Sequence, residues 1–477
     1  IMVEYAHPNT HKEMHIGHMR TLTLGESLAR IFESVGAEVF RANYQGDIGP
    51  HVAKAIWGTD AILRERGMSW EEAGKMNALE KVHILGEGYV KGNKDYEEKK
   101  AEIDELNRKL YRKDPSVQEL YERTRKWSLD YYDAFYSRFG TRFDKLYFES
   151  EVGLLGRDIV LSNIGKVFER SEGAVIFDGE KYGLHKRVFV TKDGNPTYEG
   201  KDIALAPLQY SEFPFDINIH VVANEQKSYF EVVFKALELL DTKFGRSEYH
   251  LSMGMVNLVG QKMSSRTGVI VSVDKLLDDI KKQVVPLVND ELSEAERMKV
   301  AEIVTIGAVK YSMLKVNPTS EVLFNLKESI GLEGNSGPYL QYTYARTQSV
   351  LRKAQEQGTD NKEQGIKVTK VEFLVHSSKL EVEELYLLRS FVHFSEVVEN
   401  AAKNYSPNLI CNYLYDLSQK FNLFYAKHRI LESDKQQVTS NKKEIPTSNF
   451  RLALTLATGF ILKNGLNLLG IQTPQKM

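Results

Sequence analysis

The chain opens with the stretch IMVEYAHPNTHKEMHIGHMR, residues 1–20, and this stretch decides the fold. Its first six residues are mostly apolar and predict a short strand, which the polar turn His7–Thr10 ends. Residues at helical spacing then run from 15 to about 35, and a glycine follows where the helix is expected to stop. A second strand is predicted at Val39–Ala42. This β-α-β order predicts a parallel sheet that binds ligands at the carboxyl ends of its strands.

The rest of the first half continues this sheet after a large insertion. Residues 52–135 are strongly charged and helix-forming, so they predict a helical insertion after the second strand. Short apolar runs and turn residues predict the remaining elements, which are a hairpin at Ala174–Phe177 and Arg187–Thr191, a strand at Asn218–Val222, a helix at Gln226–Leu240 and a last strand at Tyr249–Ser252.

Beyond about residue 275 the strand signals mostly vanish, and Leu, Lys, Glu and Gln at helical spacing predict helices. The helix candidates are 294–315, 338–356, 380–404, 407–430 and 448–469, with exposed connectors predicted at 355–370 and 432–447. We therefore predict an α/β domain over 1–275, with an insertion around 52–195, and an all-helical domain over 276–477.

Composition narrows the class of protein. A chain of 477 residues is longer than one core usually serves, and 42% hydrophobic with 27% charged residues excludes wholesale disorder. No run of 18 apolar residues predicts a transmembrane helix, and the N-terminus has no secretory pattern, so we expect a cytoplasmic protein. The single cysteine, Cys411, excludes an internal disulfide and a multi-cysteine zinc site. A net charge of −2 does not favour nucleic-acid binding, but it does not exclude binding through a local basic patch.

Four of the twelve histidines lie within residues 7–18, and three interpretations compete. The segment is a surface turn, or it is a metal site in which His11, His15 and His18 share one helical face. In the third interpretation it is a strand-turn-helix cradle for phosphate. Gly17 would then let a nucleotide approach the backbone, the helix N-terminus would offer N–H groups, and the flanking imidazoles would donate hydrogen bonds.

The second polar cluster is GQKMSSRTG, residues 260–268. Its glycines, cations and adjacent serines suit a loop that closes over a polyphosphate, although such a loop is by itself often an ordinary turn. It is not a Walker A motif, because it lacks the G-K-[ST] ending. The loop follows the last strand of the α/β half, as the histidine cluster follows the first strand. Both are therefore expected at the same edge of the sheet.

Together these clusters resemble the two signature motifs of class I aminoacyl-tRNA synthetases, His15-Ile16-Gly17-His18 and Lys262-Met263-Ser264-Ser265-Arg266. The first motif resembles its arginyl-tRNA synthetase form, because Pro8-Asn9 and Lys12 precede it. Further stretches are similar to that family in the same order along the chain, namely Asn43–Gly49, Phe143-Asp144, Glu149-Ser150, Tyr198 with Asp202, Val221–Gln226, Glu333–Tyr342, Ala345-Arg346, Asp416-Leu417, Phe421-Asn422 and Gly470–Pro474. The resemblance covers essentially the whole chain.

The resemblance implies an α/β fold, with a Rossmann-like parallel-sheet catalytic domain carrying helical insertions, followed by an all-α anticodon-binding domain. It implies an arginine–tRNA ligase that converts L-arginine and ATP into arginyl adenylate and transfers arginine to the 3′-terminal adenosine of tRNA(Arg). The family needs bound tRNA even for the first step. Mg²⁺ is expected with ATP, and a monomer is expected.

Residue chemistry and the resemblance agree on the arginine site. A guanidinium is a planar fork of donors and needs acceptors such as Glu149, Tyr198 and Asp202, whereas the amine and carboxylate of the amino acid need neutral polar groups such as Asn9 and Gln226. Tyr198 and Asp202 share a face if their stretch is helical. Taken singly, each is equally an ordinary polar surface residue. The resemblance implies that Asn9, His15 and Gln226 hold the amino-acid backbone and that Glu149, Tyr198 and Asp202 hold the side chain.

For ATP, the resemblance implies binding by Gly17, His15, His18, Lys262, Met263, Ser264 and Ser265. We expect His15 and His18 to steady the α-phosphate, and Lys262, Arg266 and Lys12 to hold the β- and γ-phosphates. Lys12 matches the lysine that is thought to compensate in members without a lysine after the serines.

Some positions depart from the family pattern. The family often has Ser where His7 stands, a large aromatic residue where Ile48 stands, and Asp where Asn325 stands. Its usual N-terminal domain, which contacts the tRNA elbow, does not precede the first strand here, so the sequence fits a shorter form or a piece of a longer chain. In the helical half, aromatic residues at helical spacing are candidates for anticodon contacts or for core packing, namely Tyr339, Tyr342, Tyr344, Phe421, Phe424 and Tyr425.

Two other functional classes, a different enzyme and a protein without catalysis, stay open at this point. A different nucleotidyl-transfer enzyme could share both signature loops, but it would not need the helical half or the three acceptors of the side-chain site. A cysteinyl synthetase would need zinc-binding cysteines. An RNA-binding paralogue without catalysis is the non-enzyme alternative, against which the intact His15, Gly17, His18 and Lys262 argue.

Overall fold

The structure is a computed structural model that describes residues 1–259, 272–357, 380–431 and 447–477. The chain divides into two compact units. The first comprises Ile1–Gly25, Ala37–Val273 and Thr319–Glu321, and the second comprises Glu26–Gly36, Asp274–Pro318 and Val322–Met477. The first helix therefore contributes residues to both units.

Nine strands lie in the described part of the first unit, and five of them form its main sheet. The nine strands are β1 Met2–Glu4, β2 Phe40–Gln45, β3 Lys145–Phe148, β4 Glu169–Ser171, β5 Ala174–Phe177, β6 Arg187–Val190, β7 Asn218–Ala223, β8 Glu248–Met253 and β9 Val256–Leu258. The main sheet has the order β3-β2-β1-β7-β8 with parallel pairing throughout. The predicted α/β class with a parallel sheet is confirmed, and so is the predicted hairpin, in which β5 pairs antiparallel with β6.

Helices surround these strands. In chain order they are α1 Ile16–Ser34, α2 Pro50–Glu65, α3 Trp70–Ala73, α4 Ala78–Lys94, α5 Tyr96–Tyr111, α6 Pro115–Phe139, α7 Glu149–Ser162, α8 Tyr198–Glu212, α9 Lys227–Leu240 and α10 Thr242–Ser247. Local signals explain several boundaries. Asp114 caps α6 by accepting a hydrogen bond from Ser116 N, with Pro115 at the first helical position, and Gly140 ends the helix in the left-handed conformation. Thr197 caps α8 in the same way.

The edge strand β3 was not predicted from the sequence. It lies inside the range 52–195 that we predicted as an insertion, and it pairs with β2 in the register Ala42↔Lys145 to Gln45↔Phe148. The run Lys145–Phe148 does not alternate apolar and polar residues, and no glycine adjoins it as Gly173 adjoins the hairpin, which explains the omission. The strand matters for the site because α7 follows it directly, so its last residue delivers Glu149 to the carboxyl edge of the sheet.

One face of the main sheet packs on α7 and α8 through a core that includes Met2, Ala42, Tyr147, Val152 and Leu205. A neighbouring core joins the antiparallel sheet to α7, α8 and α9. This packing fixes the N-termini of α7 and α8, which carry three of the predicted site residues.

The second unit is mainly helical, as predicted. Its helices from residue 273 onward are α11 Val273–Val284, α12 Glu294–Leu314, α13 Leu326–Ser329, α14 Gly337–Gln357, α15 Val382–Val392, α16 Phe394–Lys403, α17 Asn408–Lys427 and α18 Thr447–Leu468, and a short strand β10 lies at Val322–Phe324. The single helix predicted at 380–404 is wrong, because His393 ends α15 and precedes α16. That break contains neither Gly nor Pro, so the sequence gives no signal for it. The predicted connectors lie almost wholly outside the described residues.

The aromatic candidates of the helical half separate into two groups. Tyr344, Phe421 and Phe424 are at most 2% exposed and belong to the core. Tyr425 is 41% exposed, and the guanidinium of Arg346 lies 5.0 Å from its ring centroid and 4.9 Å from that of Tyr342. Among the helices that the structure describes, none is long and apolar enough to cross a membrane.

Candidate active site

The loop between β1 and α1 has a strained backbone. Ala6, His7 and His11 adopt φ angles of 80°, 49° and 65°, although none of them is glycine. Each such residue costs about 1–3 kcal/mol and persists where its surroundings hold it, typically at functional sites.

Helix α6 supplies part of that support from its polar face. The Ser128 hydroxyl accepts a hydrogen bond from the His11 backbone N–H at 2.8 Å. The Tyr132 hydroxyl bonds to two loop carbonyls, that of Asn9 at 2.7 Å and that of Lys12 at 2.8 Å. Ser128 and Tyr132 are four residues apart, so they lie on the same side of α6. The predicted insertion thus positions the signature loop.

The metal-site alternative required His11, His15 and His18 on one helical face, and the structure does not provide it. Helix α1 begins at Ile16, and both ring nitrogens of the buried His11 bond to threonine hydroxyls, those of Thr10 and Thr124. Burial, with smaller contributions from His51 and Arg125, lowers the pKa of His11 to about 3. Within the described ranges, no group of three or more His, Cys, Asp or Glu residues could hold a metal ion.

His15 and His18 form a stacked pair at the start of α1, with ring centroids 3.8 Å apart. The Nδ1 atom of His15 accepts from Gly17 N at 3.1 Å, and the Nδ1 atom of His18 accepts from His15 N at 3.1 Å. In the neutral tautomer each Nε2 must then carry the proton. Desolvation, followed by the charge of Lys12, lowers the pKa of His15 to about 4, and desolvation also lowers that of His18 well below its usual value. Both rings are therefore neutral donors at neutral pH.

Gly17 has to be glycine for this arrangement. A Cβ at position 17 would lie 2.9 Å from Cε1 of His15, which is closer than real Cβ contacts. Lys12 lies nearby, with its ammonium group 4.0 Å from the ring centroid of Tyr89 on α4. Desolvation and the charge of Lys54 lower the pKa of Lys12 to about 8.

Gly46, which follows β2, brings the signature loop next to α7. Its carbonyl accepts from Thr10 N at 2.9 Å, and its own N–H donates to Pro8 O at 3.3 Å. A Cβ here would lie 2.1 Å from Oδ1 of Asn9 and 3.1 Å from Oε1 of Glu149. Two predicted arginine-binding side chains therefore flank a position that only glycine fits.

Glu149 is the first residue of α7 and is 5% exposed. Its carboxylate forms a buried ion pair with Lys201, which is 3% exposed. Burial raises the pKa of Glu149, the Lys201 ammonium opposes that shift, and Asp47 adds to it. Despite its own burial, Lys201 has a raised pKa because of the Glu149 charge.

Tyr198 and Asp202 occupy the first turns of α8, so the predicted shared helical face is confirmed. Tyr198 is 55% exposed. Asp202 accepts a hydrogen bond from the Tyr229 hydroxyl at 2.6 Å. Burial, and then the nearby charges of Glu4 and Glu149, raise the pKa of Asp202 to about 7. It is thus a carboxyl group poised to ionise when a cation arrives.

Gln226 is exposed and lies at the carboxyl end of β7, where it precedes α9 and stands three residues before Tyr229. The structure therefore gathers Asn9, Glu149, Tyr198 and Asp202, with Gln226 in the 3₁₀ turn that follows β7. The predicted phosphate loop, Lys262, Met263, Ser264, Ser265 and Arg266, lies outside the described residues.

A second charged cluster is buried in the sheet near this site. His220 on β7 bonds to Glu4 on β1 at 3.0 Å and to Glu248 on β8 at 2.5 Å. Although burial opposes both shifts, the mutual charges lower the pKa of Glu4 to about 2 and raise that of His220 to about 10. His7 connects this cluster to the strained loop, because its Nδ1 lies 3.7 Å from Glu4.

Sequence reasoning missed several residues of the site. Lys201 is one of them, because no short-range pattern in the sequence shows that it pairs with Glu149. The Tyr44 hydroxyl is buried and makes no hydrogen bond within the described residues, and its pKa is raised by burial first and then by the charges of Asp202 and Glu149. A polar stripe at four-residue spacing on α6, which includes Tyr132, was a signal that could have been used.

Comparisons with known proteins agree with this architecture. A family model described as "tRNA synthetases class I (R), catalytic domain" matches residues 1–326, and one described as "DALR anticodon binding domain" matches 340–477. The arginine–tRNA ligases of Porphyromonas gingivalis and Parabacteroides distasonis are each 34% identical, over 100% of this chain and 80% of their own length. The solved structure of Thermus thermophilus arginyl-tRNA synthetase has a TM-score of 0.78 at 26% identity, over 100% of this chain and 82% of that one. The chain therefore belongs to the arginyl-tRNA synthetases, the class I family of arginine–tRNA ligases.

Proposed function

We propose that this chain activates L-arginine with ATP and transfers it to the 3′-terminal adenosine of tRNA(Arg). The observation that carries the proposal is the meeting of Asn9, Glu149 and Asp202 beside the strained signature loop. A neutral amide and two carboxyl groups are what the two ends of arginine require. The stacked histidines provide phosphate donors at the start of α1, one short loop away.

We propose the following roles at the arginine site. Glu149, Tyr198 and Asp202 bind the guanidinium, and Asn9, His15 and Gln226 bind the amine and carboxylate. The contacts of Gly46 with Asn9 and Glu149 support this grouping. The raised pKa of Asp202 supports it as well, because a bound guanidinium would favour the ionised carboxylate.

In the proposed first step, an oxygen of the arginine carboxylate attacks the α-phosphorus of ATP. The bond from that phosphorus to the bridging oxygen breaks, and pyrophosphate leaves with the electron pair. His15 and His18 donate hydrogen bonds to the α-phosphate through Nε2, and Gly17 allows the nucleotide to approach. Lys12, Lys262 and Arg266 hold the β- and γ-phosphates. Met263, Ser264 and Ser265 of the second motif also bind ATP. Mg²⁺ would enter with the triphosphate.

In the proposed second step, a ribose hydroxyl of the terminal adenosine attacks the carbonyl carbon of the adenylate, and AMP leaves. We assign this chemistry to a catalytic domain over 1–275 with an insertion around 52–195. An anticodon-binding domain over 276–477 would contact the tRNA, with Tyr342, Arg346 and Tyr425 as a stacked, partly exposed candidate surface. A monomer in the cytoplasm stays our prediction for the state and location of the protein.

The test is ATP–pyrophosphate exchange with each of the twenty amino acids, with and without total tRNA. We expect exchange with arginine and with no other amino acid, and a requirement for tRNA. Exchange with a different amino acid would show that the side-chain site is misassigned. Binding of tRNA without any exchange would favour the non-catalytic RNA-binding alternative.

A further inference from the structure

Lys201 lies inside the proposed arginine pocket. Its side chain is 4% exposed, and its ammonium group pairs with the Glu149 carboxylate, whose side chain is 6% exposed. The ammonium lies 5.2 Å from the ring centroid of Tyr198 and 5.9 Å from that of Tyr111. A cation belonging to the chain therefore contacts the carboxylate that we propose as a guanidinium ligand.

The net charge of this pocket depends on Glu149, Lys201 and Asp202. Two carboxylates that share a buried site raise each other's pKa, and one of them stays protonated unless a cation is present. Glu149 raises the pKa of Asp202, and Lys201 opposes the rise in the pKa of Glu149. With Lys201 and Glu149 paired, the ionisation of Asp202 gives the three groups a net charge of about −1, which matches a single guanidinium.

We propose that Lys201 is a positioning residue for arginine, whose ammonium keeps Glu149 ionised and sets the pocket to accept one positive charge. This inference rests on the proposed function. Lys201 acts through Glu149 and not through contact with the reacting atoms. It also orients the carboxylate, because a buried ion pair fixes the Glu149 oxygen atoms while leaving Asp202 available for a cation.

Other titratable groups face this pair from each neighbouring element. Asp47 follows β2 and adds negative charge near Glu149, but it is itself bonded to Arg125 at 2.8 Å. Lys201 in turn contributes to the lowered pKa of His51, where burial is the main cause. The remaining facing groups are Tyr111 on α5, Tyr198 on α8, Tyr44 on β2, Tyr229 on α9 and Glu4 on β1. Arg125, Lys201 and His220 therefore supply the cations that pair with carboxylates here.

Removing the Lys201 ammonium group should change the KM for arginine in a defined direction. Without it, the pKa of Glu149 rises further, so at neutral pH the pocket carries a proton that arginine has to displace. The KM for arginine then rises at neutral pH and recovers at high pH, where both carboxyl groups ionise. A merely structural defect would weaken activity at every pH and would also affect ATP.

The experiment is arginine-dependent ATP–pyrophosphate exchange by the full chain with tRNA present, measured from about pH 6 to about pH 9 for the wild type, Lys201→Met and Lys201→Arg. The KM for arginine falls as pH rises and the carboxyl groups ionise. For Lys201→Met we expect this fall to occur about one pH unit higher than in the wild type, so that the KM for arginine at neutral pH is about tenfold higher. We expect the KM for ATP to be unchanged. Lys201→Arg keeps the charge and should keep the wild-type profile. Lys192→Met, at an exposed hairpin turn, is the matched control.

The outcomes separate this inference from the function on which it rests. A wild type without arginine-dependent exchange would overturn the proposed function. An active wild type with an unshifted Lys201→Met profile would overturn the role of Lys201. A Lys201→Arg profile displaced as far as that of Lys201→Met would also overturn it, because the charge would then not be what matters. If Lys201→Met fails to fold, a Lys201→Arg profile displaced from that of the wild type by about one pH unit overturns the role of the charge.

Discussion

Two buried clusters of the first unit contain the same charges and use them differently. Each has two carboxyl groups and one basic group, which are Glu4, His220 and Glu248 in the closed cluster and Glu149, Lys201 and Asp202 in the open cluster. In the closed cluster both ring nitrogens of the histidine bond to carboxylates. In the open cluster the lysine pairs with one carboxylate, and the other carboxyl group accepts from the hydroxyl of Tyr229.

The pKa values express this difference. The neighbouring charges lower the pKa of Glu4 to about 2, whereas burial raises that of Asp202 to about 7. A cluster in which both carboxyl groups bond to the chain's own cation contributes to stability, while a cluster in which one carboxyl group bonds to a hydroxyl instead has a place for an external cation. The contrast explains why buried charge by itself does not identify a binding site.

The largest expected effect comes from removing the cation of the closed cluster. His220→Gln leaves two carboxyl groups buried without their cation, so we expect the free energy of unfolding to fall by about 3–5 kcal/mol. The pKa of His220 is raised to about 10, so the stability that it contributes is complete below the unfolded value of 6.5 and is lost as pH rises through 10. Denaturant unfolding near pH 6 and near pH 10 measures the difference, which should shrink at the higher pH.

His250→Gln is the matched control for that experiment. His250 lies on β8 beside the cluster, where its Nε2 bonds to Val222 O at 3.0 Å, and burial lowers its pKa to about 4. Losing a neutral hydrogen bond should cost about 1 kcal/mol. Equal losses in the two variants would contradict the view that the charge of His220 matters.

The second prediction neutralises the open cluster. Asp202→Asn removes the carboxylate proposed for the guanidinium, and we expect kcat/KM for arginine to fall about 10³-fold. Because the pKa of Asp202 is raised, the stability tied to its proton is complete below the unfolded value of 3.8 and is lost as pH rises through about 7. Thermal unfolding at about pH 8 should therefore show the variant to be no less stable than the wild type. A variant that is both inactive and clearly less stable would contradict this account.

Many residues of the two clusters could be identified from the sequence, but their contacts in space could not. The opening β-α-β unit and the helical second half were predicted from apolar runs, turn residues and helical periodicity, whereas the strand β3, which has neither alternation nor an adjoining glycine, was missed. Asn9, Glu149, Tyr198 and Asp202 were identified by residue type and resemblance. The pairing of Lys201 with Glu149 joins residues 52 positions apart, and no local pattern encodes such a contact.

The closed cluster shows the same limit. Glu4, His220 and Glu248 lie on three strands that become adjacent only through the sheet order β1-β7-β8. Their registers place residue 4 opposite 220, and residue 220 opposite 250. A prediction that identifies these strands but not their order in the sheet cannot show that the three side chains are in contact. The strained φ angle at Ala6 is equally invisible in the sequence, because alanine does not favour the left-handed region.

The third prediction extends the comparison to the charge of histidine. His220 is cationic, whereas His15 and His18 are neutral, since desolvation lowers their pKa values. His18→Asn removes one Nε2–H donor, and we expect kcat of exchange to fall about 10²-fold. The fold-loss should be the same at about pH 6 and about pH 8, because the neutral ring does not titrate in this interval. A loss that changes with pH in this range would show that the protonated ring is the active form.

The smallest expected effect concerns the support of the open cluster. The Tyr132 hydroxyl bonds to the carbonyls of Asn9 and Lys12, so Tyr132→Phe removes a tie on the strained loop that carries one arginine ligand and one phosphate ligand. A hydrogen bond of this kind contributes about 1 kcal/mol, so we expect kcat/KM of exchange to fall about fivefold.

Tyr131→Phe, on the adjacent buried position of α6, is the control. If Tyr132 acts on the loop, its variant should raise the KM values for both arginine and ATP, while its unfolding free energy falls no more than that of Tyr131→Phe. If kcat/KM is unchanged, the strained loop keeps its conformation without α6. The insertion would then stabilise the fold and would not position the site.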